Sequence, residues 1–232
     1  MQIQTPSIFR RCMQLLFATS TLLVSCSTLA QDNFSVCGSL KNNYGPFDYR
    51  TDRGETLDVV NRAHFTPQTE ALIRGNTGSI GQDLSYTLRT FPNHHRALMT
   101  MMKYAQRLKT EQPTDAEFSI DCYFERALRF RSDDVVVRMM YASFLTTNKR
   151  IPQARQELEQ VAKIARDNPF THYNMGMVYL DMKEYEKALA EAHIAMALGL
   201  SQTGLRDKLT ELGHWRAPEE TSSPAQTDPV KP

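Results

Sequence analysis

Any chemistry in this chain would start from its histidines and methionines. His94 and His95 are adjacent, and His64 lies one segment earlier. Imidazole nitrogens suit zinc or copper. Neighbours on a regular helix point about 100° apart, so one ion cannot readily use both rings of the pair. Asn93 is expected to cap the helix that follows, placing both histidines in its first turn. A metal site here would need a second His or Cys cluster at ligand spacing and a nearby carboxylate, and the sequence offers neither. A structural or partner-contacting role is the plainer reading. Nine of the eleven methionines lie between Met99 and Met196. Thioethers bind soft copper in exported proteins, but Met also fills helical cores and adaptable binding surfaces. No Met-x-x-Met-x-x-Met run occurs, which favours packing. The turn Gly75-Asn76-Thr77-Gly78-Ser79-Ile80-Gly81 has the glycine content of a phosphate loop. It lacks the Lys-Ser/Thr ending and the preceding apolar strand, so a helix-to-helix turn is sufficient. Asp48, Asp52 and Glu55 stand near no nucleophile, and neither Gly-x-Ser-x-Gly nor His-Glu-x-x-His is present. The sequence therefore predicts no enzyme, no cofactor and no metal ligand set.

The elements that would position these residues are helices. Residues 168–200 read as an antiparallel pair. Asn168 is a good N-cap, and Pro169 takes the first helical position, where its missing N–H costs nothing. Small residues Gly176, Ala188, Ala192 and Ala195 fall where paired helices need close contact. Gly176-Met177-Val178-Tyr179, followed by Ala188 and Ala195, resembles the tetratricopeptide repeat, a unit of about 34 residues. His172 replaces that family's early Trp, and Leu200 its closing Pro.

One such unit cannot bury its own apolar face, so copies are expected. One period earlier stand Ala142, Ala154, Leu158 and Val161, all small or apolar, with Asp133 or Asp134 as the cap. A third copy places Leu98, Met101, Met102 and Ala105 on its first helix and Phe124, Ala127 and Leu128 on its second. Residues 109–116 lengthen its internal turn by about six positions. The predicted fold is all-α: a right-handed solenoid of helical hairpins with repeats at 95–134, 135–168 and 169–202. An irregular segment at 31–92 precedes the repeat domain of 93–213. A capping helix within 203–213, stopped by Gly213, covers the last repeat, and Trp215 could pack back on it. Residues 214–232, rich in Pro, Ser, Thr and charge from Ala217 onward, are expected to be disordered.

The tetratricopeptide resemblance also implies a ligand surface. In that family the second, fifth and ninth positions of each first helix line a concave groove. Those positions here are Arg96, Met99, Lys103; Val136, Met139, Ser143; and Phe170, Tyr173, Met177. The implied groove is apolar along its middle and basic at one end. It suits an extended or helical peptide with apolar anchors and an acidic end. The competing reading is that the N-terminal segment fills the groove. Family members that clamp a C-terminal carboxylate use Lys and Asn, for which only Lys103 and Asn174 are near matches.

Before the repeats, residues 42–50 look like an ordered loop of turn formers and aromatics. Residues 57–65 fit either a strand or a helix. Thr66-Pro67 should open a helix ending near Gly75, and residues 82–90 another, giving a degenerate pair. The phrases Cys-Gly-Ser-Leu at 37–40, Tyr-Gly-Pro-Phe-Asp-Tyr-Arg at 44–50, His-Phe-Thr-Pro at 64–67 and Phe-Pro-Asn-His-His-Arg-Ala-Leu at 91–98 resemble a family of exported bacterial tetratricopeptide proteins. That resemblance implies export and fold, and carries over no catalytic residue.

Residues 1–30 have the form of an export signal. Arg10 and Arg11 are their only charges, and the apolar run from 13 to 24 is too short to span a bilayer. Two exits fit: cleavage after Ala30, which would leave the chain in the periplasm, or lipidation of Cys26 in Leu23-Val24-Ser25-Cys26, which would anchor it at the outer membrane. Removing two of 27 basic residues leaves 25 against 26 acidic ones, a balance that argues against nucleic acid as a partner. With Cys12 and Cys26 in the signal, Cys37 and Cys122 remain as an even pair in an oxidising compartment, which reads as a disulfide. Together these features predict an exported adaptor or scaffold for a protein or peptide, touching membrane only if lipidated at Cys26. The alternative is a periplasmic metal-binding protein built on the His94-His95 region.

Overall fold

Six of the ten helices among the described residues start where a side chain accepts a backbone hydrogen bond. The structure, a computed structural model, describes residues 36–218, and all regular structure within them is helical. The elements are α1 (Glu55–Ala63), α2 (Pro67–Glu70), α3 (Ile80–Thr90), α4 (His95–Leu108), α5 (Ile120–Phe130), α6 (Val135–Thr147), α7 (Ile151–Ala165), α8 (Pro169–Asp181), α9 (Tyr185–Ala197) and α10 (Gly204–Glu211). Ser79 and Gln82 form a capping box at α3. Ser119, Asp134 and Asn168 cap α5, α6 and α8. Each supplies an acceptor to amides that the first helical turn leaves open. At α4 the expected cap is corrected. His94 fills that position, its Nδ1 accepting from Ala97 N at 3.2 Å, while Asn93 is wholly buried in a neighbouring polar network.

The helix exits recur as regularly as the entries. Lys109, Lys149 and Lys183, at the ends of α4, α6 and α8, have φ of 53°, 60° and 61°. After each, an amide reaches back five residues: Thr110 N to Ala105 O (3.1 Å), Arg150 N to Leu145 O (2.8 Å) and Glu184 N to Tyr179 O (2.9 Å). This is a Schellman exit, which satisfies carbonyls that the last turn would strand. Val135 and Pro169 open α6 and α8 34 residues apart, as Ile151 and Tyr185 open α7 and α9.

Packing follows that period. The pairs α6 with α7 and α8 with α9 make the most extensive contacts, α6 also touches α4 and α8, and α10 lies on α8 and α9. Ala142, Ala154, Leu158, Val161 and Ala188 are completely buried. Gly176 is needed for close approach: a Cβ there would collide with Leu205 Cδ2 and stand 3.3 Å from Ala188 O. One core joins α3, α4, α5 and a face of α6; a second joins α6 to α10, with Trp215 against its edge. The long connection between α4 and α5 has its own anchor. Asp115 accepts from Gly81 N at 2.9 Å and from Tyr104 Oη at 3.1 Å, tying the excursion to α3 and α4.

The segment before α1 is held at both ends. Cys37 and Cys122 form a disulfide, and Arg126, buried within α5, donates to the carbonyls of Cys37 (2.9 Å) and Ser39 (2.8 Å). Further on, Asp48 accepts from Arg50, Asn93 and Arg131. The Arg50 hydrogen bond dominates over burial and holds the Asp48 carboxyl far below the usual carboxylate range. Asn93 also donates to Asp134 and accepts from Tyr49 N, so the loop is bolted to the turns that precede α4 and α6.

Two sequence expectations change here. The ambiguous stretch at 57–65 is helical through Ala63. The helix opened by Thr66-Pro67 ends at Glu70 instead of near Gly75, because Leu72 turns into the left-handed region at φ 57°. The export signal, Cys26, and residues 219–232 of the expected disordered tail lie outside the described residues.

Candidate ligand groove

The first helices of the three hairpin-like units present the positions singled out from the sequence. Between α4 and α6 opens a cleft of about 480 Å³. Met99, Met102, Lys103 and Lys109 line it from the α4 side, Ser143 and Phe144 from α6. An opening of about 300 Å³ shares Met99 and Lys103 with it and adds His95, Arg96 and Met140. Met99 is 37% exposed although apolar, and Val136 and Phe170 are 46% and 56% exposed on the neighbouring helices. Large apolar side chains left in water on successive elements are the informative exception to burial.

The nine expected groove residues divide by environment. Met99, Lys103 and Ser143 line the cleft, and Arg96 lines the adjoining opening. Val136 and Phe170 are exposed on α6 and α8 and line neither opening. Met139, Tyr173 and Met177 are half-buried against the second core. Tyr173 sits close under the start of α10, where a Cβ on Gly204 would be 2.7 Å from its hydroxyl. Sequence reasoning missed Met102, Lys109 and Phe144. Met99, Met102, Gln106 and Lys109 follow one another at spacings of 3, 4 and 3, a helical stripe that was available to be read.

Electrostatics sharpens the basic end. Arg96 is occupied: it pairs with Glu70 of α2 and lies over the Phe65 ring at 5.6 Å. That pair raises the Arg96 pKa above its ordinary value. Lys103 and Lys109 have no ion-pair partner among the described residues. The cleft thus offers two available ammonium groups, with Glu111 also on its lining, above a floor of Met and Phe. The described N-terminal residues pair with Arg96 through Glu70 but leave both Arg96 and Met99 exposed.

The three histidines go to separate neighbourhoods. His94 is buried, stacks on Tyr49 at 4.0 Å, and has its pKa lowered to about 3 by burial and then by Arg96. His95 Nε2 lies 2.9 Å from Asp134. His64 Nδ1 lies 2.9 Å from Asp83, with the ring stacked on Tyr86. Among the described residues no three His, Cys, Asp or Glu side chains converge on a point. The glycine-rich turn at 75–81 already holds an anion of its own. Asp83 accepts from Asn76 N and Thr77 N, where a phosphate would have to sit. Burial would raise the Asp83 pKa, but bonds from Thr77, Asn76 and His64 outweigh it and hold the carboxyl below its ordinary range.

Comparison of this chain with protein-family models, curated proteins and solved structures finds no match.

Proposed function

We propose that this is an exported protein of the tetratricopeptide type that holds an extended segment of a partner polypeptide in the α4–α6 groove. The observation that carries the reading is the exposed Met99 beside Lys103 and Lys109 on a cleft of about 480 Å³. Apolar side chains of the guest would rest on Met99, Met102 and Phe144, and a guest carboxylate would meet the two lysines. Main-chain spacing of an extended peptide suits such alternate anchoring. The repeat assignment is supported by the recurring caps, Schellman exits and 34-residue steps. The Cys37–Cys122 disulfide and the form of residues 1–30 support export. We assign the chain no catalytic step.

Photo-crosslinking in cells tests this reading. A crosslinker at Met99 or Val136 should capture a polypeptide that one at exposed Glu159 on α7 does not. Peptides carrying apolar and acidic residues should bind the purified protein, and Lys103→Glu with Lys109→Glu should abolish binding with the helical signal unchanged. Met99→Glu is a cleaner groove variant than Met139→Glu, because Met139 packs against the second core. Equal crosslinking from α7, or peptide binding indifferent to charge reversal, would refute the assignment.

A further inference from the structure

The smaller opening beside the groove has a chemistry that peptide binding does not use. Its walls carry one imidazole and two thioethers: His95, Met99 and Met140. His95 Nε2 lies 2.9 and 3.0 Å from the two carboxylate oxygens of Asp134. A carboxylate accepts, so Nε2 carries a proton, and the tautomer with Nδ1 unprotonated has a lone pair there. Nδ1 has no hydrogen-bond partner among the described residues, and the side chain is 22% exposed where it meets the opening. A buried carboxylate that fixes one ring nitrogen and leaves the other available is the usual support behind a metal-bound histidine. Asp134 is 1% exposed and is itself held by Asn93, so the ring orientation is set from behind.

Met99 follows His95 by four residues on α4. That spacing puts both on one helix face with Cβ atoms roughly 5–6 Å apart, a span one ion can bridge. Met140 approaches the same opening from α6. One nitrogen and two thioether sulfurs are soft, neutral ligands. They disfavour magnesium and calcium, offer zinc no thiolate, and suit monovalent copper. Glu70 also lines the opening, but it is committed to Arg96, and its carboxylate offsets the guanidinium charge there. Lys103 remains on the rim, exposed on a flexible stem.

We propose that His95, Met99 and Met140 form a three-coordinate site for Cu(I). The proposal goes beyond the peptide-binding reading and does not depend on it. The test uses the full chain with Cys12→Ser and Cys26→Ser, to remove thiols that would bind copper themselves, and with the Cys37–Cys122 disulfide intact. Anaerobic Cu(I) is titrated against the chromogenic chelator bicinchoninate. One ion per chain is expected, with an X-ray absorption spectrum showing one nitrogen and two sulfur neighbours. Met99→Leu and Met140→Leu conserve volume and should each weaken binding at least tenfold, whereas Met177→Leu should not. Met140 lines the smaller opening and not the peptide cleft, so in Met140→Leu peptide binding should survive where copper binding fails. Absence of competition with the chelator, a shell without sulfur, or leucine variants that bind like the parent would each overturn the proposal.

Discussion

Gly176 faces Leu205 across the contact between α8 and α10, and a double-mutant cycle on that pair measures how closely the helices are packed. The first atom a Cβ at 176 would meet is Leu205 Cδ2, while Ala188 O and Glu191 Cβ stand at 3.3 Å. Gly176→Ala therefore has two opposing effects. Alanine is better than glycine in a helix by about 1 kcal/mol, and forcing a methyl into a filled site costs about 1–3 kcal/mol. The net expectation is a loss of about 0–2 kcal/mol. Leu205 is 1% exposed, so Leu205→Ala should cost about 2–5 kcal/mol through lost burial and a residual cavity. In the double variant the new methyl enters space that Leu205 vacates. The collision disappears and the helix preference remains, so the double variant should be about 1–3 kcal/mol more stable than the sum of the single effects. Urea unfolding followed by far-UV circular dichroism gives the global values. The chain's one tryptophan, Trp215, packs against the second core and reports the α10 end by fluorescence. Additivity within about 0.5 kcal/mol would refute the reasoning, since the two residues would then not be competing for the same volume.

Three further outcomes follow from charge and cross-linking. His172 Nδ1 lies 2.7 Å from Glu191 and Nε2 lies 2.8 Å from the Arg166 carbonyl, so both nitrogens face acceptors. Burial opposes the imidazolium, but those bonds outweigh it and raise its pKa above 6.5. The folded pKa being the higher one, this stabilisation is complete below the unfolded value and is lost as pH rises through the folded value. The melting temperature should fall across that window in the parent and not in His172→Gln. Asp134→Ala strips a nearly inaccessible carboxylate from His95, Asn93 and the α6 cap and should cost about 3–5 kcal/mol in urea. Its neighbour Asp133, 65% exposed and paired with Arg50, should cost under about 1 kcal/mol on the same substitution. Reducing the disulfide, whose cysteines are 85 residues apart, should lower stability by about 4–5 kcal/mol in the chain-entropy model. An unchanged urea midpoint after verified reduction would refute that figure.

The helices of the repeating part were legible because their signals are local. Asn168 followed by Pro169, and Asp134 before a run of valines, announce helix starts whatever surrounds them. Ala142, Ala154, Ala188 and Gly176 announce close contact because a larger side chain would hold helices apart. Reasoning failed where a residue had two possible partners. Asn93 is a better intrinsic cap than His94, yet the loop at 44–50 and the α6 turn recruit its amide, and His94 takes over the cap. The helix begun at Pro67 stops at Glu70 because Leu72 enters the left-handed region, a turn that no glycine or proline at that point of the sequence announces.

The candidate groove shows the same division. The tetratricopeptide resemblance selected Met99 and Lys103 by their places on the first helix, and side chains three and four apart share a face. Position could not reveal that Glu70 would occupy Arg96, or that α10 would close over Tyr173. By itself the sequence determined the all-helical character of the described residues, a 34-residue spacing of hairpins and a cysteine pair, because propensity, capping and small-residue spacing act over a few turns. Tertiary structure alone decided which apolar residues stay in water, which cations remain available, and which imidazole nitrogen a buried carboxylate holds, because each depends on what a distant segment brings to within a few ångströms.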